Sequence, residues 1–218
     1  VDRPAILFPI PAINGVVHML DLGANVDCTA ENLFQFAVMG AILVAATSDN
    51  KYPTVSLLNI GAEAIKGTDV VKQAAQLLQQ TTDINYQGYI EGDDIYKGIS
   101  DVVVCDGFVG NVALKVSEGV AKLLLKMARE EFSRNWFAKL GGLLCLPTLK
   151  RLKNRINLDK FNGASLLGLQ GVVIKSHGGA NIEAYATAIC RAIKEAEMNV
   201  PERIRAAVTA KLVQEQAV

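Results

Sequence analysis

Apolar and polar positions along the chain alternate between two patterns. Short runs of Val, Ile and Leu, apolar at nearly every position, end in glycine, and stretches with apolar residues three or four apart follow them. Strands apolar on both sides belong to a sheet with helices on both faces, so the alternation predicts an α/β fold with a mostly parallel sheet. Val17–Leu22 reads as a strand, followed by a helix from Ala30 to about Ala46 with Thr29 as its N-cap. Val55–Ile60 reads as the next strand, leading through the loop Gly61–Gly67 into a helix capped near Thr68 or Asp69. In Ile84–Ile90, Asn85 and Gln87 alternate with Tyr86 and Gly88, which places that strand nearer an edge. The final third is helical. Ile182, Tyr185, Ile189 and Ile193 fall on one face, and Ile204, Val208 and Leu212 on a second helix starting at Pro201; both stripes cover the sheet or contact a partner.

Four segments repeat one construction, an apolar strand ending in a glycine turn before a helical pattern. They are Asp101–Asn111 with its helix Asn111–Ala128, Val16–Asn25, Thr54–Gly61 and Gly171–Asn181. Such turns leave backbone N–H groups unpaired and aimed at one spot, where an anion binds. Together they predict one phosphate-sized pocket built from several strand ends.

The 218 residues, half of them apolar, suffice for a full core, and the formal net charge of zero gives no footprint for nucleic acid. The longest apolar run, Phe36–Ala46, falls short of the ~20 residues of a membrane span and reads as a buried helix. Cys28, Cys105, Cys145 and Cys190 are far apart, without zinc-ligand spacing, and read as reduced core thiols of a cytosolic protein. No signal segment opens the chain, and Val1-Asp-Arg-Pro resembles the middle of a longer sequence.

Between residues 134 and 160 the composition shifts. Arg134, Lys139, Lys150, Arg151, Lys153, Arg155 and Lys160 outnumber the single acid Asp159 and flank Trp136, Phe137, Leu140, Leu143, Leu144 and Leu146. Pro147 can start a helix with Leu149, Leu152 and Ile156 along one side. Such a segment is a solvated helix docked on the body or in a dimer interface, or a contact for a membrane surface or an acidic protein.

A phosphate site needs backbone N–H groups, a cation and neutral amide donors. Lys66, between Gly61 and Gly67, is either the cation or a surface lysine. Asn111 at a helix start is a cap, a ligand contact or both, and Lys115 one turn later adds field or simply faces solvent. Asp21 and Asp106 orient a lysine or accept turn N–H groups. His177 donates to phosphate, moves a proton or holds its own loop, whereas His18, inside a strand, reads as a satisfied core residue. No clustered acids suggest a metal. The Walker A pattern, the Gly-x-Ser-x-Gly elbow and the dinucleotide fingerprint are all missing from the sequence, and Cys105 follows three valines, where burial keeps a thiol inert.

Leu20-Asp-Leu-Gly-Ala-Asn-Val-Asp27, Leu57-Leu-Asn-Ile-Gly61 with Lys66-Gly67, Asp101–Lys115 and Phe161–Gly178 closely resemble the bacterial phosphate acyltransferases of phospholipid synthesis, the PlsX family. The match runs in order over nearly the whole chain. The resemblance implies a Rossmann-like α/β/α sandwich akin to phosphotransacetylases and isocitrate-type dehydrogenases, with a protruding basic, apolar-tipped helical hairpin matched by residues 132–158. It implies transfer of a fatty acyl group from acyl carrier protein to inorganic phosphate, and delivery of the acyl phosphate to glycerol-3-phosphate acyltransferase.

A cytosolic homodimer peripherally bound to membrane is expected, with no cofactor and no metal. By motif position Lys66 and Asn111 match the family's active-site lysine and asparagine. Gly61, Gly107, Gly110, Lys115 and His177 are expected around phosphate, and Leu149, Lys150, Arg151 and Lys153 at the membrane or carrier protein. Family chains extend further at the N-terminus, so residues 1–218 are expected to be the C-terminal part of one acyltransferase domain. Two rival readings are a coenzyme-A phosphotransacetylase, separated by its acyl donor, and a non-catalytic membrane-peripheral scaffold.

Overall fold

A seven-stranded sheet forms the centre of the computed structural model, which describes residues 1, 3–156 and 158–215, with the side chains at 153, 155, 156, 158, 159 and 211–215 outside the description. The strands are β1 (Ala5–Ala12), β2 (Gly15–Leu20), β3 (Thr54–Leu58), β4 (Asn85–Ile90), β5 (Val102–Val104), β6 (Ala164–Leu167) and β7 (Ile174–Lys175), in the order β4-β3-β5-β2-β1-β6-β7. The half β4-β3-β5-β2 is parallel, while β2-β1, β1-β6 and β6-β7 pair antiparallel. Two prolines, Pro9 and Pro11, sit in β1 although it is flanked on both sides. Pairing with β6 covers Ala5 to Leu7, so both prolines fall on the stretch where β1 has an open side and no donor is missed.

Six α-helices complete the fold among the described residues: α1 (Ala30–Thr47), α2 (Asp69–Gln79), α3 (Gly107–Ser133), α4 (Trp136–Ile156), α5 (Ile182–Glu197) and α6 (Val200–Glu215). Thr29 caps α1 through a capping box in which its side chain accepts from Asn32 N and Asn32 accepts from Thr29 N. α1 is long and apolar enough to cross a bilayer by composition, yet most of it lies inside the protein, where Phe36, Val38, Met39 and Leu43 pack with Leu20, Val55, Leu57, Val102 and Val104. α2 and α6 flank it, with Ile204 and Val208 buried as expected and the Leu212 side chain outside the description. The opposite face holds Ile10, Val17, Met19, Val103 and Cys105, against which Ala113 and Leu114 of α3 pack.

Three expectations change. The helix expected from Asn111 starts at Gly107 with Asp106 as N-cap and runs to Ser133, because the cap carboxylate accepts from Val109 N. Pro147 starts nothing, since it lies inside α4, which begins at Trp136. The hairpin is therefore α3 and α4 together, turning at Arg134 and Asn135, where Phe132 lies close enough to Gly142 that a Cβ there would meet its ring at 3.1 Å. On α5, Ile182, Tyr185, Ile189 and Ile193 are all exposed and so do not cover the sheet, which leaves that stripe to a partner contact, and the helix turns Ala184, Ala188 and Glu195 inward.

Candidate functional site

Parallel pairing sets the site. Val104 of β5 stands beside Leu57 of β3 on one side and Leu20 of β2 on the other. The segments leaving these strands, 59–67, 106–111 and 21–25, therefore emerge side by side, at the C-terminal strand edge where ligands of open α/β sheets bind.

The 21–25 loop closes on a buried charge. The Asp21 carboxylate, fully buried, accepts from Ile6 N (2.9 Å), Ala24 N (3.1 Å), Asn25 N (2.6 Å) and Asn25 Nδ2 (2.9 Å). Four N–H groups meet the acceptor capacity of one carboxylate, so Asp21 fastens this loop to β1 rather than orienting a lysine.

The start of α3 presses directly on that loop. Gly107 N donates to Asn25 O at 2.7 Å, and a Cβ on Gly107 would stand 2.6 Å from that oxygen. At Gly110 a Cβ would meet Asp21 O and Cys105 Sγ. These two glycines are needed for close helix-to-loop approach, which corrects their expected role as anion donors. Gly110 N also goes to Asp106 O and Val109 N to the Asp106 carboxylate. Phe108 N–H is then the donor of that turn without a partner among the described residues. Asn111, in the second turn, is exposed and caps nothing; its Cβ and Cγ lie against Gly23, whose φ is +108°.

The 59–67 loop holds Lys66 from below. Asn59 at the end of β3 donates through Nδ2 to Lys66 O at 3.1 Å and accepts from Ile60 N at 2.9 Å. Gly67, at φ +90°, lies so close that a Cβ would collide with Asn59 Oδ1. Lys66 itself is exposed and Gly61 is buried. Asn59 was not singled out by sequence reasoning, although a polar residue closing an apolar strand before glycine was its signal.

Lys66 and Asn111 thus rise from adjacent strand ends, with Gly23 beside Asn111. Lys115 pairs with Glu118 (3.1 Å) on α3. The fourth glycine turn does not join them. Three antiparallel steps separate β7 from β2, so β7 runs the opposite way and its turn opens at the other edge of the sheet. There His177 Nδ1 accepts from Gly179 N (3.0 Å) and the His177 backbone N–H donates to Asn162 Oδ1 (3.1 Å), which corrects the expected place of His177 in a shared pocket. His18 is corrected too, since its buried Nδ1 has no hydrogen-bond partner.

Thiol chemistry has no support at this edge. Burial first, then Asp106 and Asp21, push the Cys28 thiol up to about 11 and Cys105 well above the usual range. Of the four cysteines, Cys145 and Cys190 are exposed rather than in the core. No cluster of three or more potential metal ligands occurs among the described residues.

Leu149 is partly buried on α4, while Lys150 and Arg151 are exposed; the Lys153 side chain lies outside the description. Trp136 and Phe137 stack at the hairpin turn with ring centroids 3.5 Å apart, each 65% exposed.

Comparison with known proteins bears on this arrangement. The chain is 57% identical over 95% of its length to a phosphate acyltransferase of Halorhodospira halophila, 58% over 94% to one of Alkalilimnicola ehrlichii and 55% over 94% to one of Legionella pneumophila. It spans 59–61% of the length of these relatives. Among solved structures, the EutD phosphotransacetylase from Staphylococcus aureus overlaps 56% of this chain and 43% of its own at 18% identity and a TM-score of 0.47. The family described as fatty acid synthesis protein matches residues 1–203, and the chain belongs to that family.

Proposed function

We propose that this chain carries the phosphate-binding part of an acyltransferase that moves a fatty acyl group from acyl carrier protein to inorganic phosphate. The observation that supports it is the emergence of Lys66 and Asn111 from the ends of adjacent strands β3 and β5. Relatives named phosphate acyltransferase support the reaction class.

In this reading phosphate lies near Lys66, whose ammonium neutralises it. A phosphate oxygen attacks the thioester carbonyl, the C–O bond forms, the C–S bond breaks, and the carrier thiolate leaves and takes up a proton. Phosphate is already nucleophilic at neutral pH, so no Ser or Cys intermediate is needed, and the protonated state of Cys28 and Cys105 is no obstacle. Orientation and charge stabilisation supply the acceleration, with Asn111 donating to phosphate or to the developing oxyanion.

The partners in this reading are acyl carrier protein, a second copy of the chain, and a glycerol-3-phosphate acyltransferase that consumes the product. Peripheral attachment of a cytosolic protein to membrane falls to the α3–α4 arm, where Trp136, Phe137, Leu140, Leu143 and Leu144 are all at least half exposed. Mass detection of acyl phosphate from carrier-protein thioester and phosphate tests the proposal. Product from coenzyme-A thioester alone would make the protein a phosphotransacetylase, and product from neither donor would leave a scaffold.

A further inference from the structure

A second concave site lies away from the Lys66 edge. His18 of β2, Leu43 and Thr47 of α1, and Thr187, Arg191 and Lys194 of α5 line a cavity of about 310 Å³, at the lower end of the range for small-ligand sites. Its polar groups are poorly matched. Arg191 is partly buried, makes no hydrogen bond and lies within 4.0 Å of no carboxylate among the described residues, and its Nε is fully enclosed without a partner.

Glu195 acts on Arg191 through charge but forms no ion pair with it among the described residues. Glu195, one turn further along α5, turns its buried carboxylate to the Ser165 hydroxyl. His18 Nδ1 is likewise enclosed and has no partner at hydrogen-bond geometry, although the Asp101 backbone acts on the ring. Thr47 and Thr187 donate their hydroxyl protons to Leu43 O and Glu183 O, so neither can donate again. Lys194 adds a second cation with no ion pair among the described residues.

Leaving buried polar groups unanswered is costly, more so for charged ones, and folded proteins seldom do it twice in one place. The cavity holds one guanidinium and one ammonium against one carboxylate that is already hydrogen-bonded. A guanidinium fork matches the paired oxygens of a carboxylate or phosphate, and desolvation around it strengthens the pairing.

We infer that the cavity between β2, α1 and α5 is a second anion site, in which Arg191, assisted by Lys194 and His18, holds the carboxylate or phosphate group of a small molecule. The neighbouring Leu43 suits a short aliphatic stem. His18 lies within β2, whereas Asp21 and the loop beside Asn111 follow the C-terminal end of that strand.

Binding is read on the whole protein carrying Lys66→Ala, which disables the phosphate edge. Inorganic phosphate, methyl phosphate and butyrate are titrated separately by calorimetry while the Arg191 Nε–H resonance is followed by NMR. Expected is saturable binding of at least one probe, a shift of that resonance with the same midpoint, and an upward move of the His18 titration. Preference for methyl phosphate or for butyrate identifies the head group. Arg191→Gln weakens binding tenfold or more, and Arg191→Lys, which keeps the charge and loses the fork, falls between. An Arg191 resonance unmoved by all three probes overturns the inference, as does an Arg191 already paired with a carboxylate of another segment or a second copy.

Discussion

The side-chain amide of Asn59 donates to the backbone carbonyl of Lys66 at 3.1 Å, and Gly67 closes on the same amide. A buried residue at the end of β3 thus fixes where the exposed lysine stands, which makes Asn59 a positioning residue. Asn59→Ala is expected to free the loop, raise KM for phosphate several-fold and lower kcat, at a stability cost of about 1–2 kcal/mol. Gly67→Ala, which puts a Cβ against Asn59 Oδ1, produces the same kinetic pattern. Steady-state kinetics with phosphate as the varied substrate checks both; loss of stability with unchanged kinetics would show Asn59 to be structural only.

Gly110 is the tightest contact between α3 and the 21–25 loop. Its Cβ would collide with backbone, which cannot yield as a side-chain tip can. Gly110→Ala is expected to destabilise by about 2–4 kcal/mol, measured as a lower urea midpoint. A midpoint within error of the parent would refute the close approach.

Acid stability carries the mark of His18. Burial, then Arg191, lowers its pKa from 6.5 to about 4, although Asp101 pulls upward. Between those values the unfolded chain binds a proton that the folded protein refuses, so stability falls as pH drops from 6.5 towards 4 and the loss levels off below. The ceiling is about 3 kcal/mol. Glu195, raised by burial although the Ser165 hydroxyl and Arg191 pull it down, acts in the opposite sense: its contribution is present at low pH and lost as pH rises through its folded value. Lys194 also faces the cavity. In chemical denaturation across this range, His18→Gln flattens the acid limb; an unchanged slope would contradict burial of a neutral imidazole.

For the α3–α4 arm, the turn is the part to alter. Trp136→Ser with Phe137→Ser is expected to cut flotation with anionic vesicles tenfold or more at any salt. Neutralising Lys150, Arg151 and Lys153 costs about fivefold per residue at low salt, converging on the parent as salt rises. Flotation indifferent to both sets would remove the lipid role and leave the arm to protein partners.

Much of this was legible because strand and helix periods are local. Val102–Val104 could only be a buried strand, and Thr29 and Thr68 each accept from the third residue of the helix that follows. The sequence did not disclose β1, because Pro9 and Pro11 argue against a strand until the limit of β6 pairing is known. Nor did it reveal the direction of β7, on which the exclusion of His177 depends, since strand direction is a property of long-range pairing. Gly107 and Gly110 were recognised as special for a reason that was not the operative one; the motif alone cannot tell a glycine that exposes an N–H from one that makes room for a loop. His18 reads in sequence as a satisfied core residue because an unpaired nitrogen is visible only once α5 is laid against β2.

Two substitutions bear most directly on the juxtaposition of Lys66 and Asn111. With carrier-protein thioester and phosphate, acyl phosphate formation is measured for Lys66→Ala and Asn111→Ala in the whole protein, with circular dichroism as a check on folding. Both are exposed and neither caps a helix, so folding is expected to survive while turnover falls about 100-fold for Asn111→Ala, the usual loss of one oxyanion donor, and at least as far for Lys66→Ala. Parental turnover in either folded variant would contradict a shared phosphate site at these strand ends.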